Sequence, residues 1–413
     1  MTETSGRYDR RNFVLNASEG FFFVMGSSLI SSQTVFPALI VRLGGDNTLI
    51  GAFGVIVWLG LLLPQIFAAR YTQTLPWKKP WAVRFGAAQR FVILGIAFII
   101  LFSGYVSPSI TCILILLLFA INQILTGITT PGWFDMYAKM TPVHRRGRLI
   151  GTRTAFAGIG SFGCGFVLTW ILARFGFPFN YGLVFAGAFL FQFISILLQS
   201  QLVEEHASKT LPRQPLLEYF KQLPGVLHHN RQFRSFLVAS GFLIVATIPL
   251  NFFTVYGLKR FQGNEGIVGQ FTLAIVVGQF IGSILNGYIA DRFGNRIALI
   301  YSSVSMALAS VWAFFAPSQV LFELVFIFSG INLGSDSMIR SNLAIEYGPV
   351  EQRSTYIGLM NTLLAPLYAL SLLAGWIIDS TGYDMVFGIG AASSVIGIFL
   401  LITGVSEPRI LNR

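Results

Sequence analysis

Runs of about 20 predominantly apolar residues recur from one end of this chain to the other, and a helix of that length crosses a hydrocarbon core about 30 Å thick. Of 413 residues, 54% are apolar and only 11% are charged, so no single aqueous core could hide the apolar surface. The solvent for the fold is lipid. The pattern predicts an all-α polytopic membrane protein with twelve spans, near 19–41, 48–69, 85–104, 109–138, 149–173, 181–203, 234–257, 267–290, 297–315, 320–340, 354–378 and 385–404.

Charge placement predicts the topology. Short breaks such as GGDN (44–47), GFPFN (176–180), APSQ (316–319) and STGYD (380–384) alternate with breaks rich in Arg and Lys. With the N-terminus in the cytoplasm, 24 of the 28 basic residues fall on the inner side, and only Arg42, Arg174, Lys259 and Arg260 fall on the outer side. The positive-inside rule then predicts a plasma-membrane protein with both termini in the cytoplasm. The net charge of +11 is thus mostly topology and does not imply nucleic acid. The first apolar run follows a polar tail of about 18 residues without a small-residue cleavage site, and is expected to be the first span, not a secretory signal.

The longest break, 204–233, divides the chain into six-span halves, 1–203 and 234–413. It is expected to be a cytoplasmic tether, with Leu216, Leu217, Phe220 and Leu223 spaced for one short interfacial helix. Cys112 and Cys164 lie in apolar runs and read as small buried hydrophobes. His144, His206, His228 and His229 show no metal-ligand spacing. No metal or cofactor is expected.

The halves carry a repeat. PVHRRGRLIG (142–151) and PVEQRSTYIG (349–358) match at Pro, Val, Arg, Ile and Gly with an offset of 207 residues, each between the fourth and fifth spans of its half. A second motif, GYIADRFGNR (287–296), lies between spans eight and nine. With twelve spans, two halves and a long central loop, it resembles the major facilitator superfamily of secondary transporters. The motif is similar to that family's signature loop, Gly-x-x-x-Asp-Arg-x-Gly-x-Arg. Between spans two and three, where the stronger copy belongs, the chain reads AARYTQTLPWKKPW (68–81), which keeps Arg70, Lys78 and Lys79 but contains no acid.

The resemblance implies that Asp291 helps hold a cytoplasmic gate shut, with Arg292 and Arg296 as local cations and Arg353 as a further partner. A carboxylate docked at a helix N-terminus is stabilised by unpaired N–H groups and partial positive charge. An ordinary solvated loop is the alternative. For the acid missing from the first half, Asp135 is the candidate, facing Arg146 or Arg148, or else pairing along its own helix with Lys139.

Polar residues inside spans mark the candidate substrate cavity, which such transporters place near mid-membrane. Span one offers Glu19, Gly26, Gln33 and Pro37 on one helical face. Span four offers Asn122, Thr126 and Thr130, span seven Ser240, Thr247, Asn251 and Thr254, and span ten Asn332 and Asp336. Such residues also serve as interhelical hydrogen-bond glue. Asp336 reads either as a proton-coupling carboxylate or as half of a structural pair with Arg340. Glu19 either titrates at the cavity mouth or closes a capping box begun by Asn16. Few charges in the cavity favour a neutral or amphipathic organic solute.

The sequence therefore predicts a secondary transporter working by alternating access, proton-coupled, with export favoured over nutrient uptake, and monomeric. A non-transporting sensor or scaffold on the same fold is the alternative. No Ser/His/Asp cluster, HExxH helix or GxxxxGK[ST] loop is present, so neither an enzyme nor a nucleotide-driven pump is expected.

Overall fold

The computed structural model describes residues 8–208, 210, 230–349 and 353–408, with the side chains of Val143 and 353–355 excepted. The central 211–229 segment, with its expected interfacial helix, lies outside the described residues. Among those described there is no strand. Among the described residues eleven helical segments are long and apolar enough to cross a membrane. The protein is an all-α polytopic membrane protein. Large apolar side chains such as Ile159, Phe315 and Trp376 face outward, as lipid-facing positions must.

The helices are α1 (Asp9–Leu29), α2 (Val35–Arg42), α3 (Asn47–Thr72), α4 (Lys79–Leu101), α5 (Pro108–Met140), α6 (Val143–Arg174) and α7 (Phe179–Ser200). After the central connection come α8 (Arg231–Thr247), α9 (Leu250–Phe261), α10 (Gly266–Phe293), α11 (Asn295–Phe315), α12 (Gln319–Leu333) and α13 (Asp336–Tyr347). The last are α14 (Arg353–Leu364), α15 (Leu370–Thr381) and α16 (Tyr383–Gly404).

Four of the expected spans are interrupted. Span one breaks at 30–34 between α1 and α2. Pro37 follows, and its ring and missing N–H prevent a helix from running through the preceding turn. Span seven breaks at Ile248–Pro249 and span ten at Gly334–Ser335. Span eleven passes through a 3-10 turn, Ala365–Ala369, that contains Pro366. The break in span one corrects the expectation of a continuous polar face, because Gln33 and Pro37 do not share a helix with Glu19 and Gly26. A second correction concerns Asn16. Helix α1 starts at Asp9, so Asn16 is an interior residue and caps nothing.

The described chain forms two compact units. Unit 1 draws on Met1–Ser31 and Gly60–Gln214, and unit 2 on Ser32–Leu59 and Pro215–Arg413. Within unit 1, α1 packs on α6 and α7, and α4 on α5 and α7. Within unit 2, α8 packs on α16, and α11 on α12 and α16. The partners of the first and third spans of each half thus recur, which gives the sequence repeat a structural counterpart. Unit 2 also holds the start of α3: the Asp379 carboxylate accepts from the backbone N–H of Asn47 (3.3 Å) and Thr48 (3.0 Å) and from both side chains.

Backbone-to-backbone packing in unit 2 joins α10 to α12. GQFIG (278–282) and GINLG (330–334) place small residues four apart on both partners, the pattern that lets membrane helices approach backbone to backbone. A Cβ on Gly278 or Gly282 would overlap the carbonyl of Ile327 or Ile331, and one on Gly330 would overlap that of Ile275. Neither helix can retreat cheaply, because the obstructing atoms are backbone. Gly278→Val and Gly330→Val are each expected to cost at least about 2 kcal/mol, the scale of overpacking. Thermal unfolding in detergent checks this, with exposed Gly287→Ala, which has open space around it, expected to be neutral.

Candidate transport site

The four breaks converge. A cavity of about 60 Å³ in unit 2 is lined by Ser32 and Gln33 from the first break, Thr247 and Asn251 from the second, Asn332 and Asp336 from the third, and Tyr368 from the fourth. Interrupted helices at membrane depth persist only where protein or water satisfies the freed backbone groups. One such carbonyl, that of Gln33, accepts from the Thr254 hydroxyl at 2.8 Å. Trp58 and Tyr368 stack at 4.7 Å to form a wall.

Asp336 is the first residue of α13, where the N-terminal partial charge favours a carboxylate. Arg340, one turn on, donates to it at 2.5 Å. Asn332 donates to the Ser302 carbonyl at 3.1 Å, and Asn251 to the Ser371 hydroxyl at 3.0 Å. The Thr247 hydroxyl donates to the Ile244 carbonyl. Three buried atoms at or beside the cavity, Asp336 Oδ1, Arg340 Nε and Ser240 Oγ, have no hydrogen-bond partner among the described residues.

Unit 1 has its own cavity, of about 240 Å³, between α1, α4, α5, α6 and α7. Glu19 and Arg153 pair across it at 2.7 Å, and Glu19 also accepts from Ser195 at 3.1 Å. Arg153 donates to the carbonyl and side chain of Asn16, which is what Asn16 does in place of capping. Gly20 makes room for this, since a Cβ there would overlap the Arg153 guanidinium. Thr126 and Thr130 line the cavity, but their hydroxyls donate to carbonyls one turn back. Asn122 donates to the Gln89 carbonyl at 2.9 Å.

Arg90, like Arg153, is a residue that sequence reasoning missed. It is only 3% exposed and donates to the carbonyls of Gln192 (3.2 Å) and Gly86 (2.9 Å), to Gln89 (3.0 Å) and to Ser195 (3.3 Å). The charge tally places Arg90, Arg153 and Arg340 with the inner loops. All three lie inside helices instead. The spans begin earlier than hydropathy implies, because α4 starts at Lys79 and α6 at Val143, so charged residues that look interfacial sit well down the helix.

The loop residues separate into those that are docked and those that are not. Asp291 is exposed, Arg292 donates to the Tyr288 hydroxyl at 2.7 Å, and Arg296 donates to the carbonyls of Leu401 and Ile402. The side chain of Arg353 lies outside the described residues. Asp135 is likewise exposed, while Arg146 donates to the carbonyls of Ala138 and Thr141 at the end of α5.

Two other acids dock at helix starts. Glu204, just after span six, accepts from the backbone N–H of Lys78 and Lys79 at 2.9–3.0 Å and pairs with Lys139 at 2.7 Å. Glu407, just after span twelve, accepts from the backbone N–H of Arg296 at 3.0 Å. Each acid therefore caps the third span of its own half. The preceding residue is held in the same way in both halves. Val203 N–H donates to Asn12 (3.0 Å) and Ser406 N–H to Gln232 (2.9 Å), both side chains lying at the start of their half's first span. Gly294, at φ +96°, completes the second copy, since a Cβ would overlap the Glu407 carboxylate. Beside Glu204, burial pushes the Lys78 ammonium below the ordinary lysine range, with Lys139 acting the same way and Asp135 and Glu204 opposing.

Comparison with known proteins agrees with this architecture. The profile of the Major Facilitator Superfamily matches residues 19–362 and 258–412, and the chain belongs to that family. It is 30% identical to the cis,cis-muconate transport protein of Acinetobacter baylyi over 146 residues, 35% of this chain and 34% of the relative. It is 25% identical to the niacin transporter NiaP of the same organism over 140 residues, 33% and 32% of the two chains. The matched stretch is thus about a third of each relative. The fold superposes on a D-xylose-proton symporter (TM-score 0.65, 14% identity, 96% of this chain and 98% of that one). It also superposes on inward-open XylE from E. coli (TM-score 0.69, 13% identity, 98% and 100%).

The paired caps generate a prediction about stability. Glu204→Ala and Glu407→Ala each remove a charged acceptor from a helix N-terminus, a loss of about 1–2 kcal/mol. Both variants are expected to unfold several degrees below the parent in detergent, whereas Glu205→Ala, exposed next door, should match it.

Proposed function

We propose that the protein is a proton-coupled secondary transporter of a small organic solute, operating by alternating access with both termini in the cytoplasm. The observation that carries the coupling is the Asp336–Arg340 pair in a cavity built at four helix breaks, with an unpartnered oxygen and nitrogen. Ionisable residues at membrane depth are costly to keep and are retained chiefly for function. A proton on Asp336 would neutralise the acid and release the guanidinium for other acceptors, giving unit 2 two electrostatic states. Interrupted helices around a mid-membrane cavity are how secondary transporters bind ions and solutes. The named cargoes of two relatives, muconate and niacin, are small organic acids and support a solute of that size.

The test starts with a thermal-stabilisation screen for ligands of the purified protein, followed by flux in proteoliposomes with and without a pH gradient. Gradient-driven accumulation of the ligand is expected, with Asp336→Asn lowering it more than tenfold while leaving exchange at equal concentrations in place. Accumulation that ignores the gradient and survives Asp336→Asn would remove the coupling role. Export, favoured over uptake by the sequence, is read by the sign of the same flux.

A further inference from the structure

We infer that the unit 1 cavity is an anion site, and that the transported solute is a small planar organic monoanion seated against Arg90 and Arg153. This names the substrate class for the transporter proposed above and rests on that reading. Charge balance is the first observation. Two arginines and one glutamate line the cavity, leaving one positive charge without a carboxylate partner in a buried site. An uncompensated charge at membrane depth is expensive, and the four groups that accept from Arg90 are all neutral. They position the guanidinium without cancelling it.

The second observation is independent of charge. Gln199 lines the same cavity and is 1% exposed, yet its Nε2 donor has no hydrogen-bond partner among the described residues. A buried orphan donor beside two guanidinium groups marks a place for an acceptor. A carboxylate supplies the missing charge and the missing acceptor together.

Shape and depth narrow the class. The Arg153 guanidinium lies 5.1 Å from the Trp133 ring centroid and that of Arg90 lies 5.1 Å from the Phe23 ring. With Phe134 these rings give the cavity three aromatic side chains in its lining, and aromatic walls favour a flat, unsaturated or aromatic body behind the carboxylate. A volume of 240 Å³ holds about eight waters at ~30 Å³ each, which suits a single small ring or diene. Glu19, Arg90 and Arg153 lie ten or eleven residues into α1, α4 and α6, about 15 Å along each axis at 1.5 Å per residue. The expectation of a neutral or amphipathic solute rested on few cavity charges; with Arg90 buried and Arg153 half-buried at the cavity, the inferred solute is an anion.

Glu19 sets the sign of the test. If the site takes an anion, neutralising Glu19 removes repulsion and binding tightens; if it takes a cation, Glu19 is the partner and binding weakens. Equilibrium binding to the purified full-length protein, at neutral pH and without a gradient, is measured for benzoate and sorbate, with benzamide and benzylamine as neutral and cationic counterparts of benzoate. Saturable binding of at least one anion is expected, with neither counterpart binding. Glu19→Gln should tighten the anion about tenfold, the scale of a nearby like charge, and Arg90→Gln should abolish it. Should Arg90→Gln fail to fold, Glu19→Gln alone decides. Failure of both anions to bind, binding of benzylamine in their place, or unchanged or weaker anion binding by Glu19→Gln overturns the inference. Binding is read at equilibrium without a gradient and coupling by gradient-driven flux, so loss of coupling and loss of anion selectivity are separate results.

Discussion

A helix interrupted in lipid must find partners for the backbone groups it frees, and that requirement organises the second unit. Breaks at 30–34, Ile248–Pro249, Gly334–Ser335 and the 3-10 turn at Ala365–Ala369 do not scatter over the bundle but face one small cavity. Each break would be costly at the lipid face. Gathered together, they satisfy one another, as the Thr254 bond to the freed Gln33 carbonyl shows, and they expose helix ends to whatever occupies the cavity. Asp336 at the start of α13 uses one of those ends. The continuous packing around the cavity, above all the glycine seam of α10 and α12, is the rigid frame that allows the breaks.

Buried charge is treated differently in the two units. Around the unit 2 cavity Asp336 and Arg340, one turn apart, pair with each other. Around the unit 1 cavity one acid, Glu19, stands with two arginines, Arg90 and Arg153. The proposed coupling uses the first arrangement and the proposed anion recognition the second. Both follow from the same physical fact, that charge at membrane depth has few partners and each one counts.

The repeat extends further than its motif suggests. PVHRRGRLIG and PVEQRSTYIG are visible to the eye, whereas Glu204 and Glu407 are not: the residues they cap, Lys78–Lys79 and Arg296, lie more than a hundred positions away. The basic loop that lacks an acid of its own receives one from the end of span six. The glycine of the signature loop is explained on the same terms, because Gly294 has a positive φ and leaves room for Glu407.

The sequence by itself determined the solvent, the helical class, the span order and the two-half repeat, because apolar runs and polar breaks are local properties that the bilayer reads directly. It also located Asp336, Arg340, Glu19, Asn251 and Asn332 as intramembrane polar residues. Only the tertiary structure decided which of them share a cavity, where the spans break, and that Arg90 is buried and Arg153 half-buried against Glu19. Pro37 and Pro249 hint at the breaks, but hydropathy averages over a broken helix as readily as a whole one. An arginine near the end of an apolar run looks interfacial until the true helix start is known. The docking of Glu204 and Glu407 depends on contacts between helices distant in sequence, which no local pattern records.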